Sequence, residues 1–284
     1  MKLLVRFALI ALLPASFAGV DARAQARDMA FDFKMTDSGA TAVPGMSTGR
    51  AVVSRGRVRL DVKGSARAVA MPGAARGDDI TILMLDSGKT VIYINPKTKQ
   101  YMQLNPTETM DRMQKMMEGM GATMKFEFTG DPKVESVGAG PVILGHKTQH
   151  YRIITGMKMT MNMMGDSQTM EVSSVSDEYL APDMKNMADP FRNMSAGSGT
   201  IGGTNKEFVA RLKAAQAKLP SALELRAEMR ITVNSNGQSQ NLATVREITG
   251  IQSITASNAQ FVVPAAFTKV DFPLGPGGGR IPPE

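Results

Sequence analysis

Met157, Met159, Met161 and Met163 occupy alternate positions in the run Gly156-Met-Lys-Met-Thr-Met-Asn-Met-Met-Gly165. A repeat of two is the signature of a strand. It puts four thioethers on one face and Lys158, Thr160 and Asn162 on the other. The same period recurs elsewhere. Met29, Phe31, Phe33 and Met35 alternate through residues 28–37, and Val58, Leu60 and Val62 alternate with charged residues. A chain patterned this way is built to form a sheet with one covered face.

Turn chemistry separates the strands. Asp86-Ser87-Gly88-Lys89 predicts a tight hairpin between strands 80–85 and 90–94, and Asn95-Pro96-Lys97-Thr98 turns the chain into 100–104. Asn236-Gly237 joins strands 224–234 and 241–251, a strong short-range hairpin signal. Further strands are predicted at 124–128, 133–137, 148–155, 157–163 and 169–179.

Two helices interrupt the series. The first runs from Asn105, a capping residue, with Pro106 at its first position and Glu108 three residues after the cap. Met110, Met113, Met116, Met117 and Met120 recur along it at spacings of three and four, a methionine stripe. The second helix is expected at 206–218, after an irregular connection at 189–204. Antiparallel strands with two or three helices and no clear linker predict a single α+β domain.

The ends read differently. Lys2 and Arg6 precede an apolar run from Phe7 to Phe17, followed by Ala22-Arg23-Ala24 and Ala24-Gln25-Ala26. This is the anatomy of a cleaved signal peptide over residues 1–26, too short to span a bilayer as a helix. The domain is expected over 27–272, and the Gly/Pro-rich 273–284 as a disordered tail. Export to a periplasm or beyond is the implied location. The chain has no Cys, so burial and hydrogen bonds must supply its stability. Removing residues 1–26, which carry Lys2, Arg6 and Arg23 against Asp21, takes the formal charge from +7 to +5. With 5% aromatic residues and no clustered basic patch, nucleic acid is not an expected partner. Weak peripheral contact with an anionic membrane or envelope surface is compatible with that charge.

Enzyme signals are poor. There is no cysteine nucleophile, no G-x-S-x-G and no phosphate-binding loop. Gly197-x-Gly199-x-x-Gly202 lacks the preceding hydrophobic strand that a dinucleotide site requires. His146 and His150, the only histidines, would chelate one metal from a helix, but Gly145 and Tyr151-Arg-Ile-Ile-Thr155 predict a strand, where they stand about 13 Å apart. No cofactor, metal site or catalytic residue is assigned, and a non-enzyme is expected.

The methionines remain, 23 in all and with no Trp beside them. Three readings stay open. They fill a packed core; they line a cavity for a hydrophobic ligand between helix 106–120 and strand 157–163; or they bind Cu(I) or Ag(I) through thioether sulfur. On one strand two methionines can converge on an ion and four cannot. The ligand-lining set would be Met110, Met113, Met117, Met120, Met157, Met159, Met161 and Met163.

The meander ending in Thr-Val-Ile-Tyr-Ile-Asn-Pro-Lys-Thr-Lys-Gln-Tyr (90–101), the strand Val-Ile-Leu-Gly-His-Lys-Thr-Gln-His-Tyr-Arg-Ile (142–153) and the closing Phe-Val-Val-Pro-Ala-Ala-Phe-Thr-Lys-Val (261–270) resemble one group of exported bacterial proteins. It is a domain-of-unknown-function family related to the lipoprotein carriers LolA and LolB. The resemblance covers most of the chain and rests on structural motifs. It implies a strongly curved antiparallel half-barrel whose concave apolar face is covered by helices, and it carries no catalytic residues across. The resulting expectation is a monomer that binds a lipid, acyl chain or other hydrophobic small molecule. The segment 189–218 has no counterpart in that pattern. An envelope structural protein without a ligand is the remaining alternative.

Overall fold

The computed structural model describes residues 28–39, 45–64, 74, 75, 77–119, 121–163, 166–185, 187, 189–191, 210, 211 and 214–271. The expected signal peptide and tail lie outside them.

Among the described residues thirteen strands make one sheet. They are β1 (Met29–Gly39), β2 (Gly45–Ser54), β3 (Arg57–Lys63), β4 (Ile80–Leu85), β5 (Thr90–Asn95), β6 (Gln100–Leu104), β7 (Ala122–Phe128), β8 (Lys133–Ile143), β9 (His146–Met163), β10 (Asp166–Lys185), β11 (Ala222–Ser235), β12 (Gln238–Ser253) and β13 (Thr268–Lys269). Their order is β13-β6-β5-β4-β3-β2-β1-β12-β11-β10-β9-β7, with β8 beside β9. β13 pairs parallel to β6 and every other pairing is antiparallel, so the sheet is mixed. Pairing of β1 with β12 joins the N-terminal meander to the long C-terminal ribbons.

Hairpin geometry follows the turn residues. Asn236 and Gly237 have φ of 51° and 75°, both positive as the two-residue turn requires. The same conformation recurs at Arg55-Gly56 and Leu144-Gly145, where a long side chain occupies the first left-handed position. Those two turns carry no Asn or Asp signal, and β2 was accordingly not predicted from sequence.

The α+β expectation, with helices covering the concave face, is corrected. The molecule is a large curved mixed sheet. Among the described residues one α-helix has an assigned span, α1 (Pro106–Gly119), and its main contacts are with the strand that follows it, β7. The predicted helix 206–218 falls partly outside the described residues, with helical backbone at 210–211 and 214–216. The physical reason is that a curling sheet covers its own inner face. The central core gathers Phe31, Phe33, Val53, Leu60 and Met84 from the meander with Ala181, Leu223, Leu225 and Ile248 from the ribbons. Phe191, just after β10, crosses that face and meets Phe33 edge-on at 5.2 Å.

The outer face of the meander is covered as well. Residues 254–270 run across it as a strap, burying Phe261 against Ala30 and Val52, and packing Val263 and Phe267 against Leu83, Ile92 and Ile94. This explains why β4 and β5 carry buried residues on both faces.

Candidate functional site

The methionine run forms the distal end of β9, which pairs with β7 on one side and β10 on the other. Register then fixes its neighbours. Met157 stands opposite Phe128 and Val172, Met159 opposite Phe126 and Met170, and Met161 opposite Met124 and Gln168. Val172 continues to Val233 on β11, and Ile231 continues to Leu242 on β12. Directly opposed residues share a face, so an apolar face extends across five strands. Lys125, Glu127, Lys158 and Glu171 occupy the intervening positions and the opposite face.

Burial along this face is graded. Met157, Val172, Ile231 and Val233 are buried together with Met229, with Phe128, Met170 and Leu242 packed against them. Met159, Met161 and Met170 are half-buried. Met163 closes β9, with its side chain outside the described residues. Met110, Met113 and Met117 lie on α1, likewise without described side chains, and Met120 is outside the described residues. The structure therefore joins Met157, Met159 and Met161 on one strand face, next to the strand that α1 contacts. Sequence reasoning missed Phe126, Phe128, Met170 and Val172. Only the pairing of β9 with β7 and β10, which sets Phe126 and Met170 against Met159, brings them to this face.

Toward the middle of β10 the same face turns polar. Ser174 shares a hydrogen bond of 3.1 Å with Thr155, and Ser176, 1% exposed, has no hydrogen-bond partner for its Oγ among the described residues. Glu178 is buried in the next row. Further across, Thr244 donates to Asp37 at 2.8 Å, and Arg246 pairs with Glu224 beneath the Phe191 ring, 4.1 Å from its centroid. The Asp189 carboxylate accepts the backbone N–H groups of Phe191 and Glu224.

The opposite face carries a charged ladder. Asp177 accepts from His150 Nε2 at 2.8 Å, Arg152 Nε at 2.8 Å and Arg230 Nη2 at 2.6 Å, tying β9, β10 and β11 together. Burial works to raise the Asp177 pKa, but the hydrogen bonds and charges of Arg152 and His150 outweigh it, and the carboxyl is held below the usual range. His150 stacks on Tyr179 with ring centroids 4.7 Å apart. His146 contacts Asp183 instead, at 2.6 Å, so the two histidines serve different carboxylates. Among the described residues no group of three or more His, Cys, Asp or Glu could hold a metal ion, and no helix is long and apolar enough to cross a membrane.

No protein-family model and no curated protein matches this sequence. Among solved structures, the chain is similar to a LolA superfamily protein from Nitrosomonas europaea, at 9% identity, over 84% of this chain and 90% of that one, with a TM-score of 0.28. This is the superfamily that the sequence motifs resemble.

Proposed function

We propose that this protein binds a hydrophobic molecule, a lipid or acyl chain, against the methionine face, and that it does so without catalysis. The observation that carries this reading is the half-buried row Met159, Met161 and Met170, continuous with the buried Met157, Val172 and Val233. A methionine side chain can reshape around an irregular apolar partner, because it is unbranched and has three rotatable bonds. The polar row at Ser174, Ser176 and Glu178 ends the apolar stretch and gives an entering chain a defined limit. The stripe Met110, Met113, Met117 and Met120 is proposed as the facing part of the lining. The signal-like residues 1–26 place the mature protein outside the cytoplasm in this reading, and a monomer suffices for it.

Two changes at Met161 test the proposal. Met161→Glu introduces a charge on the face and should abolish displacement of a fluorescent fatty acid. Met161→Phe should be tolerated by the fold while lowering probe capacity, since a half-buried position has room that a packed core lacks. If the site were fully packed, the same change would cost about 1–3 kcal/mol of stability. Failure of the unmodified protein to bind any apolar probe would leave the methionines as plain packing.

A further inference from the structure

Within one strand, same-face methionines recur about every 6.7 Å, so β9 alone brings two thioethers to a common point. The sheet supplies a third. Met170 enters from β10 directly opposite Met159, where cross-strand Cβ atoms stand about 4.5–5.5 Å apart, and diagonally from Met161, at about 7–8 Å. Side chains of three rotatable bonds bridge those separations easily. All three residues are half-buried, sheltered by the sheet and open to an entering ion.

We propose that Met159, Met161 and Met170 form a three-thioether site for a soft monovalent cation, Cu(I) or Ag(I). Thioether sulfur is neutral and polarizable, so it selects soft ions over Mg(II), Ca(II) or Zn(II). The next same-face positions on β10 are the exposed Gln168 and Asp166. Asp166 supplies one negative charge near the site, and no imidazole or thiolate competes there to recruit zinc. The site does not depend on the apolar-ligand reading, although both use the same face.

Ag(I) is the probe, since it does not change oxidation state in air. Native mass spectrometry and titration of the full chain should show one Ag(I) per protein. The combined Met159→Leu, Met161→Leu and Met170→Leu variant should lose that uptake while keeping the fold, read from its circular dichroism spectrum, because Leu keeps the apolar volume. Met170→Leu alone should weaken uptake without abolishing it. Met46→Leu, at an exposed methionine on β2 (66% exposed), should leave it unchanged. Methionine methyl NMR of the unmodified protein gives a readout independent of the folding of any variant, and three methyl resonances should shift together with one equivalent of silver. The proposal is overturned if the unmodified protein takes up no silver, if the triple variant binds it equally, or if the shifted methyls belong to other methionines.

Discussion

Asp177 illustrates why buried charge on this sheet reads as structure. Its carboxylate already accepts three donors, from His150, Arg152 and Arg230, and its pKa is held down, so it has no reason to take a proton during chemistry. A carboxyl with a lowered folded-state pKa stabilises the fold above its unfolded pKa, about 3.9, and loses that contribution as pH falls through the lowered value. Asp177→Asn should therefore destabilise the protein at pH 7 by about 1–3 kcal/mol, the range for losing a charged hydrogen-bond partner at a buried position. The gap between the urea midpoints of the two proteins should narrow progressively as pH falls below about 3.9. An equal gap at pH 7 and pH 3 would show that geometry alone, and not charge, is at work. Gly49 is a second residue-scale constraint: a Cβ there would meet the Asp61 carbonyl and the Phe33 ring. Gly49→Ala should cost about 1–3 kcal/mol as overpacking, read from a denaturant melt.

At the scale of elements, the local signals were legible where they rested on short-range chemistry. The α1 start follows the predicted cap: Asn105 Nδ2 donates to Glu108 Oε1 at 3.0 Å, and the Glu108 N–H lies 3.4 Å from Asn105 Oδ1. Asn105→Ala should loosen α1 by about 1 kcal/mol, visible as faster amide exchange in its first turns with little change in β9. The Asn236-Gly237 hairpin and the strands flanking Asp86–Lys89 were equally readable. What could not be read was register. The alternation of Met157–Met163 gives a face, but only the pairing of β9 with β10 reveals that Met170 joins it. Strand continuity was also hidden: three predicted strands at 133–137, 148–155 and 157–163 became β8 and one 18-residue β9. Gly156 did not break it, because it lies close against Thr129, where a side chain would collide. The helical cover was over-predicted for a related reason. An apolar strand face demands a covering surface, and sequence periodicity does not say whether helices or the curling sheet supplies it.

For the whole molecule, the distribution of core matters more than its total. The central cluster around Phe31, Phe33 and Leu60 is closed on the inside by Phe191 and on the outside by the strap carrying Phe261. The distal cluster around Met157, Val172 and Val233 is a separate unit, drawn from the far ends of the long ribbons. Stability of this kind is distributed unevenly, and regions with fewer buried apolar contacts open first. Phe261 is 3% exposed and lies beneath the Arg57 guanidinium, 4.4 Å from its ring centroid. Phe261→Ala should cost about 3–5 kcal/mol of global stability, because it both leaves a cavity and frees the strap. Ile231→Ala, of comparable burial in the distal cluster, removes about 2–5 kcal/mol locally. Hydrogen exchange separates the two cases. The Ile231 variant should exchange faster in β7 and the distal halves of β9 and β10, with β1–β5 retaining their protection, whereas the Phe261 variant should lose protection in both regions together. If both variants raise exchange uniformly, the sheet unfolds as one cooperative unit. The methionine face would then be held as rigidly as the core, which is incompatible with an apolar site that reshapes around its ligand.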